Sequence, residues 1–206
     1  MRLVFVLSLS LFLTSSVGVH AQEFAFELWH DGKVVLENGD TLTGNVKYDM
    51  QTDLVQVQVG SRLETYSARK LLFLEIFDKT VKRYRRMYSL PYKTSGEYKA
   101  PVIFELLEEG KITLLCREAL EYRTVSSGFY YYGNYTRLIM VYRYFLLRED
   151  GNIVEFMGKR SEWLDLMKDR KEEVQKYARS NRLDFEDKYD LSRIIAYYNS
   201  LFPVRH

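Results

Sequence analysis

Cysteine and histidine are scarce in this sequence of 206 residues. One cysteine, Cys116, cannot form an internal disulfide. The three histidines are His20, His30 and His206, and a Ser-His-Asp or Cys-His arrangement would depend on one of them. A zinc site needs three or four histidine, cysteine or carboxylate ligands in a cluster, and no such cluster stands in the sequence. We therefore predict no catalytic residues, no metal site and no cofactor.

An excess of one charge and long apolar runs are lacking as well. The chain has 30 lysines and arginines against 28 aspartates and glutamates. This balance gives no reason to expect a nucleic-acid partner. The longest apolar run, from Leu3 to Leu13, is shorter than the roughly 20 residues that span a bilayer.

The first 21 residues have the pattern of a signal peptide. Arg2 gives a positively charged start, and the apolar run follows it. Val19 and Ala21 place small side chains at positions −3 and −1 of a cut between Ala21 and Gln22. The sequence therefore predicts export to the periplasm or the cell surface, and a mature chain, 22–206, without a transmembrane helix.

The middle of the chain has the alternating apolar pattern of β-strands. Asn38-Gly39 lies between two such runs, and both residues tolerate the positive φ of a tight hairpin turn. Glu109-Gly110 and Asp150-Gly151 mark two more hairpins. Gly44 lies on an apolar face, which indicates a bulge or a close approach of another segment. Many short strands with short turns predict an antiparallel β-barrel or a strongly bent sheet.

The C-terminal part changes to helical spacing. Ser161 fits the N-cap of a helix whose apolar residues recur to Ala178, and a second apolar stripe runs from Leu191 to Leu201. We interpret the segment between them, 184–190, as an N-cap and solvated linker. The predicted class is α+β, mainly β, with a two-helix cap. The predicted parts are a signal peptide, 1–21, a β-rich domain, 22–158, and a helical segment, 159–206.

Two resemblances accompany these patterns. The stretches "LENGDTLTGNVKYD", "FELLEEGKITLL" and "VQKYARSNRLDFEDKYDLSRIIAYYN" resemble a family of exported proteins from Bacteroidetes-type bacteria. That family has no assigned activity, so the resemblance implies a compartment and an architecture but no catalytic residues. Residues 33–77 resemble a small five-stranded barrel of the SH3 and Sm-like kind, which implies a strand topology and no ligand.

Basic and aromatic residues alternate after residue 78. On a strand, Lys82, Tyr84, Arg86 and Tyr88 fall on one face, and Arg83 and Arg85 fall on the other. Cations combined with aromatic rings suit sugars, acidic polymers or single-stranded nucleic acid. A solvated edge strand protected by basic residues is an alternative that needs no ligand.

Aromatic residues are also concentrated in the segment "SSGFYYYGNYTRLIMVYRYFLLRED". Tyr142 and Tyr144 alternate with other strand residues, so we predict that they belong to a strand and its core. Four consecutive rings cannot all face inward on a strand, so some are exposed at a loop or packed under the helices. These four rings form a second candidate surface: Phe129, Tyr130, Tyr131 and Tyr132.

The sequence therefore favours an exported, non-catalytic envelope protein that binds a protein or polysaccharide partner. A small carboxylate-dependent hydrolase, similar to a glycosidase, is one alternative, because two suitably spaced acids suffice for that reaction. An outer-membrane barrel is another alternative, which the C-terminal helices and short strands disfavour.

Overall fold

The computed structural model of the protein describes residues 24–95, 98–125 and 135–203. Ten strands in these residues form a single antiparallel sheet, so the predicted mainly β class is confirmed. In chain order the strands are β1 (His30–Leu36), β2 (Thr41–Asp49), β3 (Leu54–Val59), β4 (Arg62–Ser67), β5 (Leu71–Asp78), β6 (Arg83–Ser95), β7 (Tyr98–Glu108), β8 (Thr113–Val125), β9 (Tyr135–Leu147) and β10 (Ile153–Phe156). Across the sheet they lie in the order β10-β9-β8-β7-β6-β5-β1-β2-β3-β4.

Short turns join neighbouring strands where the sequence predicts them. In the turn between β1 and β2, Gly39 has a φ of 89° and its amide donates to the carbonyl oxygen of Leu36 at 2.9 Å. Gly151 has a φ of 76° in the turn between β9 and β10. Glu109-Gly110 lies between β7 and β8. These three hairpin predictions are confirmed.

The half of the sheet from β5 to β4 curls around a first apolar core. This core includes Val34 from β1, Val57 from β3 and Leu74 from β5, all fully buried. Gly44 on β2 permits the curl, because a Cβ atom there would overlap with the carbonyl oxygen of Gln58 on β3. The predicted close approach at Gly44 is therefore confirmed.

The turn between β2 and β3 connects the curled half to the rest of the sheet. We call this turn, residues 50–53, the wedge turn. It lies beside β7 and β8, which share three registered residue pairs before their pairing ends. The Asp53 carboxylate accepts hydrogen bonds at 2.8 Å from the Ile103 amide and from Nη1 of Arg117. Arg117 also donates to the carbonyl oxygens of Ile103 and Met50. Asp53 of the wedge turn thus satisfies the Ile103 amide, which β8 does not pair.

Strand pairing leaves the sheet open in the described residues. Its two end strands are β4, which pairs with β3, and β10, which pairs with β9. The described residues form an open antiparallel sheet, so the predicted closed barrel is not confirmed. The sheet bends, because Tyr48 on β2 hydrogen-bonds to Glu118 on β8, five positions away in the strand order. Side chains and the wedge turn make the contacts across the bend, in place of a final strand ladder.

Three helices follow the last strand, whereas the sequence predicted two. They are α1 (Arg160–Leu166), α2 (Lys171–Ser180) and α3 (Lys188–Ser200). A 3-10 turn, Lys168–Arg170, breaks the predicted first helix into α1 and α2. Within this turn the Asp169 carboxylate accepts hydrogen bonds from the Tyr198 hydroxyl at 2.8 Å and from Lys111 Nζ at 2.5 Å. Contacts of this kind lie outside what apolar periodicity can predict.

The helix starts agree with the sequence at one position and differ at another. The backbone amide of Lys159 donates to the Glu162 carboxylate at 2.7 Å, so α1 is capped at Lys159. Ser161 lies inside the helix, and the predicted N-cap there is wrong. Asp187 caps α3, because its carboxylate accepts from the amides of Tyr189 and Asp190 at 2.9 Å. The N-cap interpretation of segment 184–190 is confirmed.

The helices cover the other half of the sheet through a second apolar core. Leu114 on β8, Trp163 on α1 and Leu191 on α3 are fully buried in this core. Tyr144 on β9 packs against Trp163, with ring centroids 5.8 Å apart. None of the helices formed by the described residues is long and apolar enough to span a membrane.

Candidate functional site

A buried network of charged side chains lies between the first and second apolar cores. β7 shows this position: Ile103 belongs to the first core, Leu107 packs against the second, and Glu105 lies between them in the same alternation. Five such charged residues come from five different elements, and each is at most 5 % exposed. We call them the ion network: Asp78 on β5, Arg85 on β6, Glu105 on β7, Glu118 on β8 and Lys188 on α3.

Arg85 is the centre of the ion network. Its Nε and Nη2 donate to the two carboxylate oxygens of Glu105 at 3.0 and 2.6 Å. Nη2 also donates to Glu118 at 2.6 Å. Nη1 donates to Asp78 at 2.9 Å and to the Tyr48 hydroxyl at 2.6 Å. A guanidinium has five N–H groups, so every donor of Arg85 has a partner within the protein.

The other members of the network are also hydrogen-bonded. Lys188 Nζ donates to Glu105 at 2.7 Å. The Tyr48 hydroxyl donates to Glu118 at 2.9 Å. Asp78 accepts from the backbone amide and the hydroxyl of Thr80 at 2.9 and 2.6 Å. Three carboxylates and two cations leave the network with a formal charge of −1, because Tyr48 is neutral.

Electrostatics keep Glu105, Asp78 and Lys188 ionised. Burial by itself would raise the pKa of Glu105, but the charges of Arg85 and Lys188 outweigh burial and hold that pKa below its usual value. The pKa of Asp78 is also lowered, since hydrogen bonds from Thr80 and Arg85 outweigh its burial. Burial would lower the pKa of Lys188, yet the charge of Glu105 keeps it above the ordinary value.

A cavity of about 300 Å³ opens onto the ion network. Asp78, Arg85 and Glu118 form its charged part. Tyr142 on β9 and Tyr189 on α3 also line it. Its apolar lining includes side chains from the N-terminal segment, from the turn before β6 and from β9, namely Phe24, Ala25, Val81, Ile139 and Met140. A cavity of this size fits a small molecule.

Two acids of the cavity meet the first requirement of the hydrolase alternative, but their bonding does not suit the reaction. Asp78 and Glu118 both line the cavity, and both accept hydrogen bonds from Arg85. A glycosidase needs one carboxyl group that is protonated and can donate its proton. The lowered pKa of Asp78 and the acceptor role of both Glu118 oxygens give neither group that property.

The outer face of β5 and β6 carries the predicted basic and aromatic residues. Tyr84 packs edge-on against Phe77, with ring centroids 5.1 Å apart, and Tyr88 packs against Phe73 at 5.7 Å. Between these pairs, Nε of Arg86 donates to Glu75 at 2.8 Å. We call this face the outer platform, and it consists of Phe73, Glu75, Phe77, Tyr84, Arg86 and Tyr88.

One detail differs from the prediction for this face. Lys82 has a φ of 54° and precedes β6 in a turn, so it is not in line with Tyr84 on the strand. β6 pairs with β5 over residues 83–88 and with β7 from Met87 onward, so the two ladders overlap only at Met87 and Tyr88. The side of residues 83–86 that does not face β5 has no registered partner strand, so the edge-strand interpretation stays an alternative for this segment.

Some of the remaining predicted residues lie in the described part of the chain, and others lie outside it. Tyr142 and Tyr144 lie on β9 as predicted; Tyr144 packs in the second core, but Tyr142 is 39 % exposed and lines the cavity. The tyrosine-rich surface, Phe129–Tyr132, and the cleavage residues, Ala21 and Gln22, lie outside the described residues.

Cys116 and His30 are both buried. Burial raises the pKa of the Cys116 thiol, so the thiol stays protonated and packs as a small apolar group. His30 Nε2 hydrogen-bonds to the carbonyl oxygen of Ala25 at 2.7 Å. In the part of the chain that the structure describes, no group of three or more histidine, cysteine or acidic residues could hold a metal ion.

Sequence reasoning did not find the ion network, although a signal for it exists. Glu118 alternates with Leu114 and Cys116, and Arg85 alternates with Met87, so each charge stands at an inward-facing position of an apolar alternation. A charged residue at such a position is buried and needs a partner.

Comparisons of the chain with protein-family models, with curated proteins and with solved structures found no match.

Proposed function

We propose that this protein is an exported, non-catalytic protein of the cell envelope that binds an acidic polysaccharide on its outer platform. One observation carries the proposal: two aromatic pairs flank a row of ionised groups on the outer face of the sheet. Tyr84 is 73 % exposed, and the Arg86 side chain is 61 % exposed. The rings offer flat apolar surfaces, and a guanidinium matches the geometry of a carboxylate.

The dimensions of the outer platform suit an extended polymer. Tyr84 and Tyr88 lie four residues apart on β6, which corresponds to about 13 Å along a strand. Arg86 stands between them on the same face. A chain of sugars that follows β6 can therefore contact both rings and place a carboxylate at Arg86.

The charges at the centre of the platform favour a polymer over a protein partner. Lys33 Nζ lies 3.1 Å from Glu75, which also binds Arg86, so three charged side chains form one row with a net charge of +1. The centres of protein interfaces are depleted of charged residues, because burial there removes their water. A polysaccharide leaves much of this row hydrated, and its acidic groups are attracted by the excess positive charge.

The proposed export is based on the signal-peptide pattern of residues 1–21. We expect N-terminal sequencing of the protein from its native cell to begin at Gln22, because Val19 and Ala21 fit the small-residue positions of a cleavage site. A native protein that begins at Met1 would contradict this part of the proposal and leave the binding part unaffected.

The binding part can be tested by electrophoresis through gels that contain alginate, an acidic polysaccharide, or neutral dextran. We expect alginate to retard the wild-type protein and a double variant, Tyr84→Ala with Arg86→Ala, to migrate freely. Salt at about 0.1 M should weaken the retardation, since exposed charges are then screened beyond about 10 Å.

A matched control lies on the hairpin formed by β8 and β9. Tyr122 is 78 % exposed, and Arg143, 53 % exposed in its side chain, pairs with Glu121 at 3.4 Å, as Arg86 pairs with Glu75. Tyr122→Ala with Arg143→Ala should leave the retardation unchanged. Equal retardation of both double variants would refute the outer platform as the binding site. Capture of an envelope protein by the wild type and not by the platform variant would identify a protein partner instead.

A further inference from the structure

The cavity above the ion network has a chemistry different from that of the outer platform. Asp78, Arg85 and Glu118 are its charged lining residues, and Arg85 is the one cation among them. All five N–H groups of Arg85 already bind protein acceptors. An anionic ligand would therefore find no free cationic donor among the described lining residues.

The acceptors of the cavity, in contrast, have capacity left. Each oxygen of Glu118 accepts one hydrogen bond, from Arg85 or from Tyr48, and a carboxylate oxygen can accept two. The Asp78 oxygen that faces Arg85 also accepts one. The ion network has a formal charge of −1, and these oxygens have unused acceptor positions. One more cationic hydrogen-bond donor can therefore bind there.

The walls of the cavity combine aromatic rings with apolar side chains. Lys188 Nζ lies 4.9 Å from the ring centroid of Tyr142, and the Arg83 guanidinium lies 4.5 Å from that of Tyr189, so both rings already contact cations. Val81 and Met140 add apolar surface that a metal ion would not use.

We propose that this cavity binds a primary ammonium group, which donates to Glu118 and Asp78 and brings the ion network to electrical neutrality. Two sources can supply such a group. One is a small amine whose hydrocarbon part contacts Val81 and Met140. The other is the protein itself, because the predicted cleavage after Ala21 would create an α-ammonium group on Gln22, two residues before the lining residue Phe24. Two residues reach about 7 Å.

The first arm of the test uses chain 22–206 with an acetylated N-terminus, so that no α-ammonium group is present. Calorimetric titrations compare 2-phenylethylammonium with 2-phenylethanol and 3-phenylpropanoate, which have a similar shape and a neutral or negative end. We expect binding of the ammonium compound alone. Equal binding of the alcohol would overturn the proposal, since the charge would then play no part.

The second arm uses the same chain with a free N-terminus, and with Gln22→Ala so that the terminal amine cannot cyclise. If the α-ammonium group is the source, the thermal midpoint rises relative to the acetylated chain and the titration signal of the added amine falls. If a free amine is the source, both forms of the chain bind the probe equally. Absence of both the binding and the midpoint difference would refute the proposal.

Two variants assign the effect to the cavity. Glu118→Gln keeps an oxygen for Arg85 but removes the charge, and should weaken ammonium binding by about tenfold to a hundredfold, the range for a lost charge-assisted hydrogen bond. Glu121→Gln on the same strand is the matched control and should have no effect. Met140→Trp fills the cavity without altering the ion network and should abolish binding even if Glu118→Gln fails to fold. Unchanged binding to Met140→Trp would place the amine elsewhere and overturn the proposal.

Discussion

Arg85 and Glu105 form a two-pronged ion pair across β6 and β7, in which both carboxylate oxygens accept from the guanidinium. Arg85 lies on the inward face of β6, and its neighbour Arg86 lies on the outward face. Two consecutive arginines thus serve different environments, one buried among three carboxylates and one exposed beside Glu75.

Replacement of Arg85 by methionine should destabilise the fold by about 3–5 kcal/mol, because it leaves buried carboxylates without their cation. Arg86→Met is the matched control and should change the free energy of unfolding little, since its ion pair is exposed to water. Urea unfolding followed by circular dichroism measures both. Equal unfolding midpoints for the two variants would contradict the central position of Arg85.

Stability should fall in acid. The folded-state pKa values of Asp78 and Glu105 lie below their ordinary values of 3.8 and 4.5, so the unfolded chain binds more protons as the pH decreases. The stability that these groups contribute is therefore present above about pH 4.5 and is lost as the pH falls through the folded-state values. Urea midpoints measured between pH 7 and pH 3 should decrease. A constant midpoint over this range would contradict the prediction.

The negative charge of Glu108 should destabilise the folded protein, whereas the charges of Asp78 and Glu105 stabilise it. Burial raises the pKa of Glu108, so its ionised form destabilises the folded state once the pH is above the folded-state pKa. Glu108→Gln removes this charge and keeps an oxygen for the Ser192 hydroxyl, which donates to Glu108 at 2.6 Å. The urea midpoint of the variant should rise at pH 7. Its exposed neighbour supplies the control, since Glu109→Gln should leave the midpoint unchanged.

The helical cap should depend on two residues of α3. Leu191 and Ile194 are fully buried in the second core, and truncation of either to alanine should cost about 2–5 kcal/mol. Arg193 lies between them, and its side chain is 49 % exposed, so Arg193→Ala should change stability little. If the midpoints of Leu191→Ala and Ile194→Ala match that of Arg193→Ala, α3 does not dock as described.

Local patterns predicted the parts of the fold that local physics determines. The turn at Asn38-Gly39 and the cap at Asp187 depend on residues a few positions apart, and both are confirmed. The break between α1 and α2 was missed, because Asp169 is held there by Tyr198 and by Lys111, which is distant in sequence. The resemblances to an exported family and, for residues 33–77, to an SH3 and Sm-like barrel stay predictions.

The candidate sites also include features that local sequence patterns predicted and features that depend on residues far apart in the chain. Alternation on one strand was enough to place Tyr84, Arg86 and Tyr88 together on an outer face. The ion network could not be assembled in this way, because Arg85 binds Glu105 and Glu118 at separations of 20 and 33 residues. The sequence marks each member as a charge at an inward-facing position, but partners so far apart become neighbours only when the sheet bends.

The wedge turn imposes an order on folding. Asp53 is 50 residues from Ile103 and 64 residues from Arg117 in the chain, so their contacts close long loops at a high entropic cost. The hairpin of β1 and β2 closes through a few residues and can form early. We expect the Ile103 amide, whose acceptor is Asp53, to become protected from hydrogen exchange later during refolding than the Gly39 amide, whose acceptor is Leu36. Simultaneous protection in a pulse-labelling experiment would show that the long and the short loops close in one step.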